Sequence, residues 1–169
     1  TYLDGFILDV TEEKSLKQQL VKLASQLPGM VYQYQVWPDG HIAFPFASEG
    51  IEKIYGVLPE QVISDANFLV NKIHPDDREA LSKSIEQSAE SLTLWQHQYR
   101  VCLNSNHALW LSGHATPERM PDGSTVWHGY IEDVTNIKQH YLELERLNKE
   151  YKLSQQRLEM ASETALIGF

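Results

Sequence analysis

Cysteine is nearly absent from this sequence of 169 residues, and so is any long hydrophobic run. The single cysteine, Cys102, cannot form an internal disulfide, and no second cysteine or closely spaced histidine group accompanies it to complete a zinc site. No apolar stretch approaches the roughly 20 residues that a membrane-spanning helix needs. Such low cysteine usage is typical of reducing compartments. The sequence therefore predicts a cytoplasmic location and no membrane contact by this part of the chain.

Basic residues are also few. The sequence has 14 Lys and Arg against 23 Asp and Glu, a formal net charge of −9. A field of that sign repels phosphate backbones and anionic lipids, so we expect neither nucleic acid nor a membrane as a partner. Catalytic motifs are missing as well, since no Gly-rich phosphate loop, Gly-x-Ser-x-Gly elbow or His-x-x-Glu-His motif occurs. Hydrophobic residues make up 42%, which is typical of a globular domain.

One internal repeat is present, between residues 5–11 and residues 129–135. The first segment reads Gly-Phe-Ile-Leu-Asp-Val-Thr and the second reads Gly-Tyr-Ile-Glu-Asp-Val-Thr. The two segments lie about one domain length apart. The chain thus looks like a piece of a longer protein that carries related domains in tandem. The expected parts are the end of a preceding domain at 1–11, a linker helix at 12–27, one complete domain at 28–135, a second linker helix at 136–164 and the start of a following domain at 165–169.

Both linkers carry apolar residues at helical spacing. In the first linker four leucines recur at steps of four and three, namely Leu16, Leu20, Leu23 and Leu27. In the second, apolar residues follow a heptad pattern that predicts a weak, parallel coiled coil between two copies of the chain. The expected dimer seam consists of Ile137, Leu144, Leu147, Tyr151 and Leu158. The alternative is a single helix that packs on its own domain, because the pattern has barely three to four heptads.

Between the linkers, strand-like and helical patterns follow one another in blocks. Two strand-like runs come first, short helical segments fill residues 50–90, and three further strand-like runs follow at 92–103, 108–116 and 125–133. This order predicts an α+β fold with an antiparallel sheet. Strand parity selects six candidates for a pocket, Tyr32, Tyr34, Phe44, Trp95, His97 and Tyr99. Ordinary core packing is the alternative for each of them.

His74-Pro75-Asp76-Asp77-Arg78 places an imidazole and two carboxylates within five residues. That composition suits a catalytic site, but proline followed by two aspartates favours the start of a helix. An enzyme that uses His97 or His114 with Asp76 as general base is an alternative, and it needs both groups within hydrogen-bond reach in a pocket. His97, His114 and His128 would form a metal site only if their strands were adjacent. We expect no metal site, because scattered histidines are usually partnered or exposed.

The last strand-like run leads directly into the second linker through Asp133-Val134-Thr135. Thr135 lies where strand becomes helix, so its hydroxyl can cap the exposed amides, and Asp133 is close enough to support it. This cap has two interpretations. It is either purely structural or the element that couples the domain to the helix that follows.

Seven stretches between residues 28 and 138 resemble, in the order typical of the family, the PAS sensory domains with a terminal PAC segment. They include Leu27-Pro28-Gly29, Ile54-Tyr55-Gly56, Ile73 through Arg78, Leu109-Trp110-Leu111 and Gly129 through Lys138. The resemblance implies a five-stranded antiparallel sheet with short helices on one face, a pocket between them, and dimerisation through flanking linker helices. It also implies that Asp133 and Thr135 match the exit motif that couples the core to an output helix.

The same resemblance implies a role in signal transduction, in a bacterial two-component histidine kinase or a diguanylate cyclase with tandem PAS domains. This part of the chain is then a sensor that binds a small ligand, or relays a signal, and dimerises; it is not an enzyme. A purely structural dimerisation module with a filled core is the alternative.

The resemblance leaves the cofactor unknown. Light-sensing members need an Asn-Cys-Arg-Phe motif on a helix, whereas Cys102 lies on a predicted strand, which argues against a flavin adduct. Members that bind haem use a histidine on the helix before the third strand, and residues 79–90 contain none.

Overall fold

The computed structural model describes the backbone of residues 2–167 and the side chains of residues 12–165. The chain divides into two compact units, Thr1–Asp133 and Val134–Phe169. The first unit contains an N-terminal helix and the expected domain, and the second is a single long helix. None of the helices that the structure describes is long and apolar enough to cross a membrane.

One antiparallel sheet of five strands forms the body of the first unit, in the spatial order β2-β1-β5-β4-β3. The strands are β1 (Met30–Val36), β2 (Ile42–Ala47), β3 (Trp95–Asn104), β4 (His107–Arg119) and β5 (Thr125–Asp133). Two of the connections are tight turns built around Gly40 and Gly123, and both of these glycines have φ of 87°. Positive φ is a conformation that glycine adopts at little cost, so these turns hold their strands in register. The predicted α+β class and five-stranded antiparallel sheet are confirmed.

Four α-helices accompany the sheet. They are α1 (Tyr2–Gln26), α2 (Gly50–Tyr55), α3 (Pro75–Ser91) and α4 (Thr135–Ile167). The predicted helix start at residues 74–78 is confirmed, because Pro75 is the first residue of α3 and the Nδ1 atom of His74 accepts a hydrogen bond from the Asp76 amide at 3.2 Å. Two short 3₁₀ helices at Pro59–Gln61 and Asn67–Lys72 complete the segment between β2 and β3.

This helical segment lies on one face of the sheet and also pairs with both of its outer strands. On the β2 side, Phe44 donates its amide to the Val62 carbonyl at 2.8 Å. On the β3 side, the His74 amide donates to the Arg100 carbonyl at 2.9 Å, next to an isolated bridge that involves Ile73. These bonds satisfy edge groups that would otherwise be open to pairing with another chain. They also hold the segment at a fixed distance above the sheet, and the hydrophobic core lies between the two.

Residues 5–11 form part of α1, whereas most of residues 129–135, which they resemble in sequence, lie in strand β5. A strand at this position would need a partner, and the β5 strand that it resembles already pairs with β1 and β4 on its two sides. At the other end α4 continues to Ile167, and Gly168 and Phe169 lie outside the described residues. The assignments of 1–11 and 165–169 to neighbouring domains stay predictions.

The leucines of the first linker do not pack on the domain. Leu16, Leu20 and Leu23 on α1 and Leu27 just after it are all exposed, and among the described side chains of that helix Ala24 is the buried one. Residues 12–26 are helical as part of α1, and their role as a linker between domains stays a prediction.

Candidate functional site

A cavity of about 80 Å³ lies between the sheet and the helical segment. Five of the six predicted pocket candidates line it, namely Tyr32, Tyr34, Phe44, Trp95 and Tyr99. Strand parity missed Tyr55 on α2, and it also missed Trp127 and Ile131 on β5, which belong to the same wall. Trp127 and Ile131 are buried on one face of β5, with the half-buried Gly129 between them on the same face, so the period of two was available as a signal for that strand.

Four tyrosine hydroxyls belong to this cavity. Those of Tyr55 and Tyr99 are hydrogen bonded to each other at 2.6 Å. Burial raises the pKa of Tyr55 to about 12, and burial likewise raises the pKa values of Tyr32, Tyr34 and Tyr99 above the ordinary value for tyrosine. All four phenols therefore keep their protons at physiological pH, and the cavity offers hydroxyl groups without negative charge.

Two tryptophans of the cavity wall are held by serines of α3. The indole N–H of Trp95 donates to the Ser84 hydroxyl at 2.9 Å, and that of Trp127 donates to the Ser88 hydroxyl at 2.9 Å. Each serine in turn donates to a backbone carbonyl at 2.7 Å. Since buried indole N–H groups need an acceptor, these bonds fix both rings in orientation.

Apart from Tyr55, the helical side of the cavity consists of aliphatic residues from the segment between β2 and β3, among them Leu69, Ile73, Leu81 and Ile85. An ion pair that sequence reasoning missed anchors this side to β3. Both carboxylate oxygens of Asp77 accept from the guanidinium of Arg100, at 2.8 and 2.9 Å, and one of them also accepts from the Arg100 amide at 2.9 Å. The guanidinium lies 5.1 Å from the centre of the Trp110 ring, so it is stabilised from two sides.

His97 is the sixth pocket candidate, and it does not line the cavity. It lies on the same strand face as Trp95 and Tyr99, but its cross-strand partner is Gly113, over which the Trp95 ring packs. The imidazole stacks beside that ring, with 6.5 Å between the ring centres. The bulky indole thus occupies the inward position next to His97.

The histidine hypotheses find no support in this geometry. His97 pairs with Gly113, so His114, the next residue on β4, lies on the opposite face of the sheet. His128 instead contacts Glu118 at 3.1 Å, while the Asp76 side chain is exposed beside His74. Within the described residues no group of three metal-ligating side chains occurs, and the cavity lining contains no histidine or carboxylate.

The exit from the domain follows directly after the cavity wall. β5 ends at Asp133, α4 begins at Thr135, and only Val134 separates them. The Lys138 amide donates to the Val134 carbonyl at 2.9 Å, so Val134 occupies the N-cap position and Thr135 is the first helical residue. Both Asp133 and Thr135 take part in interactions within the structure. Their role in coupling stays a prediction.

The expected dimer seam lies along α4, a helix of 33 residues and about 50 Å. Ile137, Leu144, Leu147, Tyr151 and Leu158 are all exposed. Arg146, on another side of the helix, forms ion pairs with Glu143 and Glu150 of the same helix at 3.2 and 2.9 Å. The seam residues have no apolar partner within this unit.

An antiparallel sheet with helices on one face, and a small aromatic cavity between them, defines an α+β domain with an internal cavity. A family model described as PAS fold matches residues 44–131, slightly more than half of the chain. The chain belongs to the PAS family. Domains of this family are sensory modules, which fits the expectation that this part of the protein is not an enzyme. None of the curated proteins is similar enough to be a match.

Solved structures of related fold include sensor domains of signalling proteins. A sensory box histidine kinase/response regulator from Burkholderia thailandensis is 23% identical, covers 80% of this chain and 96% of its own, and has a TM-score of 0.56. The N-terminal domain of a diguanylate cyclase with PAS/PAC sensor from Marinobacter aquaeolei is 16% identical, with 64% and 98% covered and a TM-score of 0.52. A PAS domain from Colwellia psychrerythraea is 21% identical, with 72% and 98% covered and a TM-score of 0.51. At these identities the similarity shows the shared fold.

Proposed function

We propose that this chain is a ligand-responsive PAS sensor in the cytoplasm, part of a bacterial histidine kinase or diguanylate cyclase. The observation that carries the proposal is the double role of β5. This strand supplies Trp127 and Ile131 to the cavity wall, and one residue after its end the chain enters α4. A molecule in the cavity therefore contacts the same strand that continues into the output helix.

The mechanism follows from the energetics of two-state proteins. A ligand shifts the equilibrium between two arrangements of the exit only by its difference in affinity for them. A ligand that contacts Trp127 and Ile131 can shift β5. Asp133 and Thr135 then pass this shift on to the first turn of α4. The histidine kinase and diguanylate cyclase domains of related fold support the choice of output.

The second part of the proposal is a homodimer through α4. Its seam residues are Ile137, Leu144, Leu147, Tyr151 and Leu158, and all of them are exposed in the single chain. The heptad spacing places them along one face of a helix about 50 Å long, as a parallel pair of helices requires. Another copy of this chain presents the same stripe, so a symmetric pair buries both stripes at once. Dimerisation then lets a change at one α4 helix reach its partner.

The coupling is tested by Thr135→Ala in the full-length protein. We expect the output activity, kinase or cyclase, to lose its dependence on the state of the PAS domain, while the circular dichroism spectrum and unfolding temperature stay within about 1 °C. Thr164→Ala is the matched control, because this threonine lies near the other end of α4 and bonds only within the helix. An output that is unchanged by Thr135→Ala contradicts the coupling role.

The dimer is tested by Leu144→Lys. A lysine in the seam puts two charges against each other across the pair, so we expect the dimer dissociation constant in analytical ultracentrifugation to rise at least about tenfold. Leu142→Lys is the control, since Leu142 is exposed to a similar degree, 55% against 66% for Leu144, but lies off the seam. Equal effects of the two substitutions, or a monomeric starting protein, would refute the seam.

A further inference from the structure

The cavity has no charged lining. Every described residue that lines it is aromatic or aliphatic, and the polar side-chain groups of these residues are the tyrosine hydroxyls and two indole N–H groups that already donate to serines. An ion that enters such a space loses its hydration and finds no opposite charge in return. Because burial keeps the four phenols protonated, they supply no negative charge for a cation, and the ring faces offer a cation only the weaker attraction of their π electrons.

The Tyr32 and Tyr34 hydroxyls have the most hydrogen-bonding capacity left. Tyr55 and Tyr99 bond each other, whereas among the described residues the Tyr32 and Tyr34 hydroxyls have no hydrogen-bond partner. Tyr32 is 4% exposed, so bulk solvent hardly reaches its side chain. Among the described residues no buried side-chain polar atom lacks a hydrogen-bond partner, so the two hydroxyls border space that a water-sized molecule can reach, where a small molecule can hydrogen bond to them.

The volume limits the size of an occupant. At about 80 Å³ the cavity is roughly half as large as the ~150 Å³ cavity that takes up benzene. Flavins, haem and other large cofactors exceed it by a wide margin. Phe44, Trp95 and Trp127 belong to the wall, and aromatic side chains of this size suit a compact molecule with an apolar side.

We propose that the cavity binds a small, uncharged molecule of about four non-hydrogen atoms, which hydrogen bonds to Tyr32 and Tyr34 and packs its apolar side against the aromatic wall. Amides, ureas and short polyols belong to this class. The inference rests on the proposed sensory function and specifies the ligand class of the same site. It excludes carboxylates, amines and extended cofactors.

Three probes of one shape test the class. Acetamide, acetate and acetamidinium have the same skeleton and differ in charge, so a titration with each isolates the effect of charge. The readout is the indole N–H region of a ¹H–¹⁵N spectrum, because the chain has four tryptophans. Trp95 and Trp127 line the cavity, and Trp37 and Trp110 do not, so they serve as internal controls.

We expect acetamide to shift the Trp95 and Trp127 signals with a dissociation constant on the order of 1 mM, the range open to so small a molecule. Acetate and acetamidinium should leave them in place. Tyr32→Phe and Tyr34→Phe should each weaken acetamide binding about fivefold, as expected for one lost hydrogen bond. Tyr141→Phe, on α4 and outside the cavity, should have no effect.

The possible outcomes distinguish an error in the ligand class from an error in the proposed sensory function. If an ion binds as well as acetamide, or if acetamide binds unchanged after both Tyr→Phe substitutions, the ligand class is wrong while a ligand cavity remains. Xenon tests whether the cavity is simply an apolar void. If xenon binds and acetamide does not, the proposed ligand class is wrong, but the cavity still binds ligands. If none of the probes moves the Trp95 and Trp127 signals, both the class and ligand sensing by this cavity fail, and the domain is a structural dimerisation module.

Discussion

Replacing Asp77 with alanine should lower the free energy of unfolding by about 2 to 3 kcal/mol. The substitution removes three hydrogen bonds to Arg100, two from the guanidinium and one from the backbone amide. The side chains are 18% and 27% exposed, so the charge that remains on Arg100 is only partly hydrated. Losing one partner of such a pair costs more than the pair itself is worth, because the other partner is left without compensation.

The measurement is urea unfolding followed by circular dichroism. Glu79→Ala is the matched control, since Glu79 lies on the same helix and its ion pair with Lys83 is exposed on both sides. An exposed pair of this kind contributes about 0.5 kcal/mol or less. If the two variants lose the same stability, the Asp77–Arg100 pair does not anchor α3 to β3.

The effect of Asp77 should depend on pH. Hydrogen bonds from the Arg100 guanidinium hold the pKa of the Asp77 carboxyl below its ordinary value. A depressed pKa in the folded state means that the stabilisation is complete above about pH 4 and is lost as the pH falls through the folded-state pKa. The stability difference between the unsubstituted protein and Asp77→Ala should therefore be constant near neutral pH and shrink in acid.

Asp76 and Asp77 show what the sequence could predict about this helix start and what it could not. Both aspartates follow Pro75, and the pattern correctly predicted a helix start with acidic residues in its first turn. It could not distinguish them, because the difference lies in what faces each side chain. Asp76 is open to solvent, whereas Asp77 meets Arg100 on a strand that is 23 residues away in the chain. Such a pairing depends on tertiary packing.

The cavity also shows which features the sequence predicts and which depend on tertiary packing. Period-two alternation placed Tyr32, Phe44 and Tyr99 on the inner face, because a strand has only two faces and one of them carries the core. Tyr55 was missed because it lies on a short helix, where its direction depends on how α2 packs on the sheet. His97 has the right parity, yet the Trp95 ring fills the space beside it. Alternation selects a face of the sheet, and side-chain volumes decide which residues on that face reach the cavity.

Gly50→Ala should also be strongly destabilising, by about 3 kcal/mol or more. Helix propensity alone predicts the reverse, since alanine is more favourable than glycine within helices by about 1 kcal/mol, and Gly50 is the first residue of α2. The structure overrides that preference. A Cβ atom at Gly50 would overlap the carbonyl oxygen of Gly29 and lie 3.2 Å from the Cα atom of Met30. Both of these are backbone atoms, which cannot rotate away.

The steric clash at Gly50 should also disturb the cavity, because β1 connects the two. Met30 is fully buried and begins the strand that carries Tyr32, so any movement that relieves the overlap shifts that strand or α2, which carries Tyr55. Gly40→Ala is the control, because nothing lies within 4 Å of its added Cβ and only the positive φ of 87° opposes it, at about 1 to 2 kcal/mol. Urea unfolding ranks the two variants. A Gly50→Ala protein as stable as the unsubstituted one would mean that α2 and the start of β1 do not approach as closely as described, and Tyr55 would then lose its place in the cavity wall.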